Sequence, residues 1–246
     1  MISKNQIKFI KSLSLKKNRV KAQLFVAEGE KIVNELLNSN FEIEHIYATK
    51  QFLGINRCQK SAITLITNDE LLRISNLTSP SNVLAIVKII QNESEKSHGI
   101  KLVLDDINDP GNLGTIIRLC DWFGVTQLVC SLDTVDAFNQ KVVQASMGSL
   151  TRVSIVYADL HPYIKETKLP VFIADMEGSN VYASSLPKEA ILIMGNEANG
   201  ISDSIRNLVT HKISIPRFGE LQETESLNVA TATAILLSEF KRSNAS

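Results

Sequence analysis

With 246 residues, 44% of them hydrophobic, the chain is long enough for one large or two small domains and apolar enough for a genuine core, which excludes a disordered tail protein. No uninterrupted apolar stretch exceeds the five residues 83–87, far below the roughly 20 of a membrane-crossing helix, and the lysine-rich start lacks a signal-peptide apolar block. A cytoplasmic protein without membrane attachment is expected. The net charge of zero hides a division: residues 1–98 hold 14 basic against 9 acidic residues, and residues 99–246 hold 12 against 17.

Seven basic residues and no acid precede Ala22: Lys4, Lys8, Lys11, Lys16, Lys17, Arg19 and Lys21. This excess attracts a polyanion such as RNA, although a lysine-rich amphipathic surface helix has the same composition. Ile7, Ile10 and Leu13 recur among these lysines at helical spacing, and Ile32, Val33, Leu36 and Leu37 repeat the pattern in a second helix. The apolar runs 24–26, 43–48, 63–66 and 83–90 read as strands between helical segments, so residues 1–90 form a small α/β unit. Residues 91–99 (QNESEKSHG) are polar and apolar-free, the composition of a linker.

From Ile100 to the end at residue 246, strong apolar runs at 102–104, 127–130, 153–156, 171–174, 191–194 and 213–215 alternate with predicted helices at 112–123, 141–148, 202–209 and 226–240. The pattern predicts a parallel sheet covered on both faces. Cys58, Cys120 and Cys130 form no CxxC pair and the four histidines are scattered, so reduced structural thiols and no metal site are expected.

In a parallel sheet, ligands bind beyond the carboxyl ends of the strands, which directs attention to three loops. The first, DDINDPGNLG (105–114), leads into a helix on which Leu113, Ile117 and Cys120 mark the apolar stripe. Arg118 is rotated roughly 140° from Leu113 and faces solvent or substrate, or pairs with Asp121 or Asp105. The second, MGNEANGIS (194–202), is a two-glycine turn in which backbone can touch a ligand, with Ser202 placed to cap the next helix. The third runs from IPRFG (215–219) through a polar stretch to SLNV (226–229), with Ser226 expected as N-cap of a final helix whose small residues, Ala230 to Ala234, permit close packing against the sheet or a second subunit.

These loops, in this order, resemble the signature motifs of the SpoU/TrmH family of SPOUT RNA ribose 2′-O-methyltransferases. The resemblance runs through NDPGNLGTIIRLCDWFG (108–124), FNQKVVQASMGSLTRV (138–153), IMGNEANGIS (193–202), and IPRFG through ESLNVATATAILLSEF (215–240). FVAEGEKIVNELL (25–37) is similar to the family's ribosomal-protein-like substrate-binding domain. The resemblance implies an α/β protein with a deep trefoil knot in a carboxyl-terminal methyltransferase domain, acting as a homodimer with S-adenosylmethionine. It implies methylation of a ribose 2′-hydroxyl in structured RNA, ribosomal RNA in preference to transfer RNA.

Carried over position by position, the resemblance implies that Arg118 activates the hydroxyl and that Asn112, Glu197, Ser226 and Asn228 orient the reacting groups. Met194, Gly195, Asn196, Gly200, Ile215, Pro216, Ser226 and Leu227 are expected to hold the cofactor, and Lys11, Lys16, Lys17 and Arg19 to contact RNA. Because arginine keeps its charge at neutral pH, an electrostatic role suits Arg118 better than that of a base. Two departures stand out: Gln144 replaces a usual arginine, and the stretch from Pro216 to Ser226 is about three residues longer than is common, with Glu220 to Thr224 expected to make the cofactor rim more acidic. Rival readings are a magnesium cluster of Asp105, Asp106 and Asp109, and a non-catalytic RNA-binding or ribosome-assembly factor.

Overall fold

The computed structural model describes residues 1–55, 62–90, 98–209, 211–219, 221 and 226–243. It divides into two compact units, Met1–Gln91 with Asp136–Thr151, and Asn92–Val135 with Arg152–Ser246. The expected linker lies, for residues 91–97, outside the described residues, as do Cys58 and all of the 220–224 rim except Leu221.

The first unit begins with α1 (Lys4–Ser12), α2 (Lys16–Ala22), β1 (Leu24–Glu28), α3 (Glu30–Leu37), β2 (Ile43–Ala48), α4 (Lys50–Ile55), β3 (Ala62–Leu65), α5 (Asn68–Ile74) and β4 (Val83–Lys88). A capping box starts α1: Ser3 Oγ accepts from the Gln6 amide, and the Gln6 side chain accepts from the Ser3 amide. The strand order is β1-β4-β2-β3, with β4 antiparallel to both its neighbours and β2 parallel to β3. Because β4 lies inside the sheet and is covered on both faces, it reads as an unbroken apolar run rather than an alternating one. Ile10, Leu13, Val26, Tyr47, Leu71, Ile74, Leu84 and Ile86 pack into one core.

The second unit comprises β5 (Ile100–Asp105), α6 (Pro110–Phe123), β6 (Gln127–Ser131), then, after the chain passes through α7 (Gln140–Ser146) in the first unit, β7 (Ser154–Ala158), α8 (Leu160–Glu166), β8 (Val171–Asn180), β9 (Ala190–Gly195), α9 (Asp203–Arg206), β10 (His211–Ser214) and α10 (Val229–Arg242). All six strands pair in parallel, in the order β10-β8-β9-β5-β6-β7. Val103, Val129, Ile173, Ile191 and Ile193 face α8 and α9, packing on Leu160, Ile164, Ile201 and Ile205. The alternate residues point to the side covered by α6 and α10, which pack on each other. From β5 the order proceeds through β6 and β7 on one side and through β9, β8 and β10 on the other, so the crevice between β5 and β9 is the topological switch point. Among the described residues no helix is long and apolar enough to cross a membrane.

Three expectations are revised within the first unit. The single early helix is two, because the chain turns between Leu13 and Leu15. The segment Asp136–Thr151, which sequence composition groups with the carboxyl-terminal domain, clusters with the first unit: α7 packs on β1, and Phe138 lies 4.9 Å, centroid to centroid, from Phe25. Arg19, expected on the RNA surface, is 2% exposed. Its guanidinium donates to Asp136 Oδ2 at 2.5 and 2.9 Å and to the carbonyls of Leu13 and Ser14 at 2.9 and 2.8 Å, so it holds the α1–α2 corner and is removed from any RNA contact.

Glu28, also 2% exposed, accepts from Ser75 Oγ, the Asn76 amide and Gln140 Nε2. Burial pushes its carboxyl above the ordinary 4.5, and these donors only partly offset the effect. A carboxyl whose pKa is raised by folding stabilises the fold fully at pH below its unfolded value, and that contribution is lost as pH climbs through the raised value. Relative to wild type, Glu28→Gln should therefore gain stability as pH rises from 4.5 toward neutrality, read as urea midpoints. A difference independent of pH would contradict the assignment.

Candidate active site

Each of the three loops leaves the carboxyl end of a strand, and the first two leave the adjacent strands of the switch point. After β5, Asp106 turns the chain in the left-handed region at φ 59°. Asp109 then caps α6, its Oδ1 accepting from the Asn112 amide at 2.8 Å, with Pro110 in the first turn, where its missing N–H costs nothing. This places Asn112 at the helix start. Leu113, Ile117 and Cys120 are fully buried as the periodicity predicts, and Arg118 is exposed on the other side. Neither alternative partner holds it: Asp121 pairs with Arg152 at 2.9 Å and Asp105 binds Ser202. Burial pushes the thiols of Cys120 and Cys130 far up, so both stay protonated.

After β9 the loop closes on itself. The Asn196 and Gly200 backbones exchange hydrogen bonds of 2.9 and 2.8 Å, and Asn196 Oδ1 accepts from the amides of Ala198 and Asn199 at 2.8 and 3.1 Å. Glycine is required at 195 because a Cβ there would come within 2.4–2.5 Å of the Gly200 and Ile201 backbone, and Gly200 itself has φ +67°. Ser202 is the N-cap residue of α9 yet makes no capping bond. In the third loop the cap of α10 is Asn228, not Ser226: Asn228 Oδ1 accepts from the amides of Ala230 and Thr231 at 3.1 and 3.2 Å, and the helix starts at Val229. Asparagine caps as well as serine does, and the chain enters the helix two residues later than expected.

The three loops meet at one carboxylate. Glu197 Oε1 accepts from Asn112 Nδ2 at 2.5 Å and from Asn228 Nδ2 at 3.1 Å, and Asn228 Nδ2 also donates to Asn112 Oδ1 at 2.9 Å. Residues 85 and 31 positions apart in the chain thus share one hydrogen-bonded cluster. Beside it opens a cavity of about 1390 Å³. All eight expected cofactor residues, Met194, Gly195, Asn196, Gly200, Ile215, Pro216, Ser226 and Leu227, line it, as does Glu197. Asn112 and Asn228 stand behind Glu197 rather than on the wall, and Arg118 is also off the wall, six residues and about 9 Å along the helix axis from Asn112.

One wall was not legible in the sequence. β8 and β10 pair at Ile173–Lys212 and resume at Ser179–Ile213, so residues 174–178 bulge out of the sheet, and 174–177 line the cavity. Gly178 permits this, since a Cβ there would meet the Lys212–Ile213 backbone at 2.6 Å. Asp175 anchors the bulge through Arg206 and, at 3.5 Å, Lys212 Nζ. Burial raises its carboxyl, but the Glu177 amide and the two cations outweigh that and hold it below the ordinary carboxylate range. Tyr182 and Phe218, ring centroids 6.3 Å apart, complete this side. No periodicity marks such a bulge; the only sequence trace is the glycine.

The cavity suits an adenosyl sulfonium ligand. Met194, Ile215, Leu227, Val229 and Leu236 present apolar surface for a flat base, while the glycine-rich backbone of the second loop and the side chains of Glu197 and Ser226 supply polar contacts. Fold and site together define an α/β enzyme that binds a nucleotide-type cofactor in a cavity at the carboxyl-terminal side of β8, β9 and β10 of a parallel sheet.

Residues 99–238 match the SpoU rRNA Methylase family, and residues 4–85 match the MRM3-like substrate binding domain. The chain is 30% identical to the 23S rRNA (guanosine(2553)-2′-O)-methyltransferase RlmP of Bacillus subtilis over 96% of both proteins. It superposes with a TM-score of 0.87 on a putative RNA methyltransferase of the TrmH family from Porphyromonas gingivalis, at 37% identity over 98% of this chain and 99% of the other. An AdoMet-bound rRNA methyltransferase from Sinorhizobium meliloti gives 0.86 at 26% identity, over 98% and 97%. The chain belongs to the SpoU rRNA methylase family and is an S-adenosylmethionine-dependent RNA 2′-O-ribose methyltransferase.

Proposed function

We propose that this enzyme methylates a ribose 2′-hydroxyl in structured ribosomal RNA, in the cytoplasm, as a homodimer whose carboxyl-terminal domain carries the trefoil knot of its family. The observation that carries the reading is the convergence of Asn112, Glu197 and Asn228 beside a cavity lined by all eight expected cofactor residues. The names of the relatives and the substrate-binding match of residues 4–85 support ribosomal RNA as the target.

S-adenosylmethionine supplies an electrophilic methyl group when bound. The apolar walls hold the base, and the second and third loops restrict the cofactor to one orientation, which removes much of the entropic barrier to an in-line displacement. Glu197, its Oε1 held by the side-chain amides of Asn112 and Asn228 and, at 3.5 Å, by the Val229 backbone amide, presents its remaining lone pairs at the cavity edge and orients what binds there. Arg118, exposed and paired with neither Asp121 nor Asp105, is free to stabilise charge on the ribose oxygen or to hold the neighbouring phosphate bidentately while a phosphate oxygen takes the proton. Trp122, 83% exposed one turn beyond Arg118 on α6, supports a dimer that covers this face.

Mapping 2′-O-methyl groups in total RNA from cells with and without the protein tests the reading. Loss of one methyl from ribosomal RNA is expected. Loss from transfer RNA would redirect the substrate, and no loss from any RNA would favour the non-catalytic alternative.

Lys11, Lys16 and Lys17 are exposed on the amino-terminal unit, whereas Arg19 is not. Neutralising all three is expected to raise the KM for RNA and to reduce the slope of log affinity against log salt by about 2 to 3, the counterions released by three phosphate contacts. An unaltered slope would remove this unit from the RNA interface.

A further inference from the structure

Two consecutive aspartates end β5 and begin the first loop, in the arrangement a magnesium site would favour. Their carboxylates are occupied differently. Asp105, 7% exposed, accepts on Oδ2 from both the amide and the hydroxyl of Ser202, each at 2.8 Å. Asp106 offers its carbonyl to Asn196 Nδ2 at 2.7 Å and its Oδ1 to Asn108 Nδ2 at 2.9 Å. Asn196 and Ser202 flank the loop whose second residue is Glu197. The loop is therefore gripped at both ends from β5, and β5 and β9 are in direct register at Asp105 and Gly195.

The grip at Ser202 is the stronger and the less expected. A helix N-cap serine ordinarily spends its hydroxyl on its own helix, but this one makes no capping bond and turns to Asp105. A nearly buried carboxylate needs such donors, and charge-assisted hydrogen bonds are about twice as strong as neutral ones. Between the grips, the Asn196–Gly200 bridge leaves the loop little freedom to move without breaking the bonds to Asp105.

Building on the methyltransferase reading, we propose that Asp105 is a positioning residue for the reaction: acting through Ser202, it fixes the loop that brings Glu197 to Asn112 and Asn228. Asp106 contributes chiefly through its backbone carbonyl, which no side-chain substitution removes.

The test combines a double-mutant cycle with hydrogen exchange. Asp105→Asn and Ser202→Ala are each expected to lower kcat about tenfold with the KM for RNA unchanged, and the double variant is expected to be no slower than the slower single variant, because both weaken one link, Ser202→Ala by removing the hydroxyl bond while the amide bond stays. In the full-length protein without RNA or cofactor, amides 196–201 should exchange at least about tenfold faster in both variants, with those of β5 and α6 unchanged. Additive losses in kcat, or unmoved loop exchange, would overturn the proposal. Since the exchange measurement does not depend on turnover, it decides the role of Asp105 even if the wild-type chain transfers no methyl group. Ser202→Ala, at an exposed position, keeps the test open if Asp105→Asn fails to fold.

Discussion

Arg118→Ala is expected to lower methyl transfer about 10²- to 10³-fold while leaving the affinity for S-adenosylmethionine within a few fold. The expectation follows from geometry. Arg118 stands on the exposed side of α6, does not line the cofactor cavity, and contributes nothing to the buried stripe of Leu113, Ile117 and Cys120. Its removal therefore leaves the fold and the cofactor walls in place and takes away only the charge that the proposed mechanism directs at the ribose oxygen or its neighbouring phosphate. Arg118→Lys should rescue little if the group binds a phosphate with two parallel N–H donors, because an ammonium cannot reproduce that fork. Single-turnover transfer of a labelled methyl group, with calorimetry for the cofactor, reads both quantities. Unchanged turnover in Arg118→Ala would refute the assigned role, and a large loss of cofactor affinity would relocate it to the cavity.

Gly195→Val is expected to act in the opposite sense, on cofactor binding first, and Gly195→Ala should already show much of the effect. The reason is internal to the loop. A Cβ at 195 lies 2.4–2.5 Å from the Gly200 and Ile201 backbone, and a backbone obstacle cannot rotate away as a flexible side chain can. The loop must open, which sacrifices the two Asn196–Gly200 hydrogen bonds, about 1 kcal/mol each, together with the cavity wall they hold. A loss of cofactor affinity of about 30-fold or more is expected, since two such bonds alone correspond to a factor of that size. Calorimetry with S-adenosylmethionine reads it, and normal affinity in either variant would count against this loop as the cofactor wall. Thermal unfolding should shift less than cofactor affinity, because of the core formed with Val103, Ile191 and Ile193 only Ile201 belongs to the displaced backbone.

The two variants separate the two tasks that the site performs. In the proposed mechanism Gly195 serves the holding of the cofactor and Arg118 the activation of the hydroxyl. Asn112, Glu197 and Asn228 join them: the first shares α6 with Arg118, and Glu197 lies on the cavity wall.

By itself the sequence determined the features that repeat locally or depend on near neighbours. Apolar runs marked all six strands of the carboxyl-terminal sheet, helical spacing put Arg118 opposite Leu113, and turn residues after strands located the three loops, of which the second and third carry the residues expected to hold the cofactor and line one cavity. Tertiary structure alone decided which polar groups are already engaged. Arg19 has the same compositional setting as the neighbouring lysines, and its ion pair with Asp136, 117 residues away, has no local signal. The grouping of Asp136–Thr151 with the first unit, the bulge of residues 174–178 and the diversion of Ser202 to Asp105 across 97 residues have the same origin. The physical reason is that hydrophobic periodicity is a property of one helix or strand, whereas a buried polar group is satisfied by whatever donor or acceptor the fold brings within about 3 Å, and that partner leaves no periodic trace in the chain.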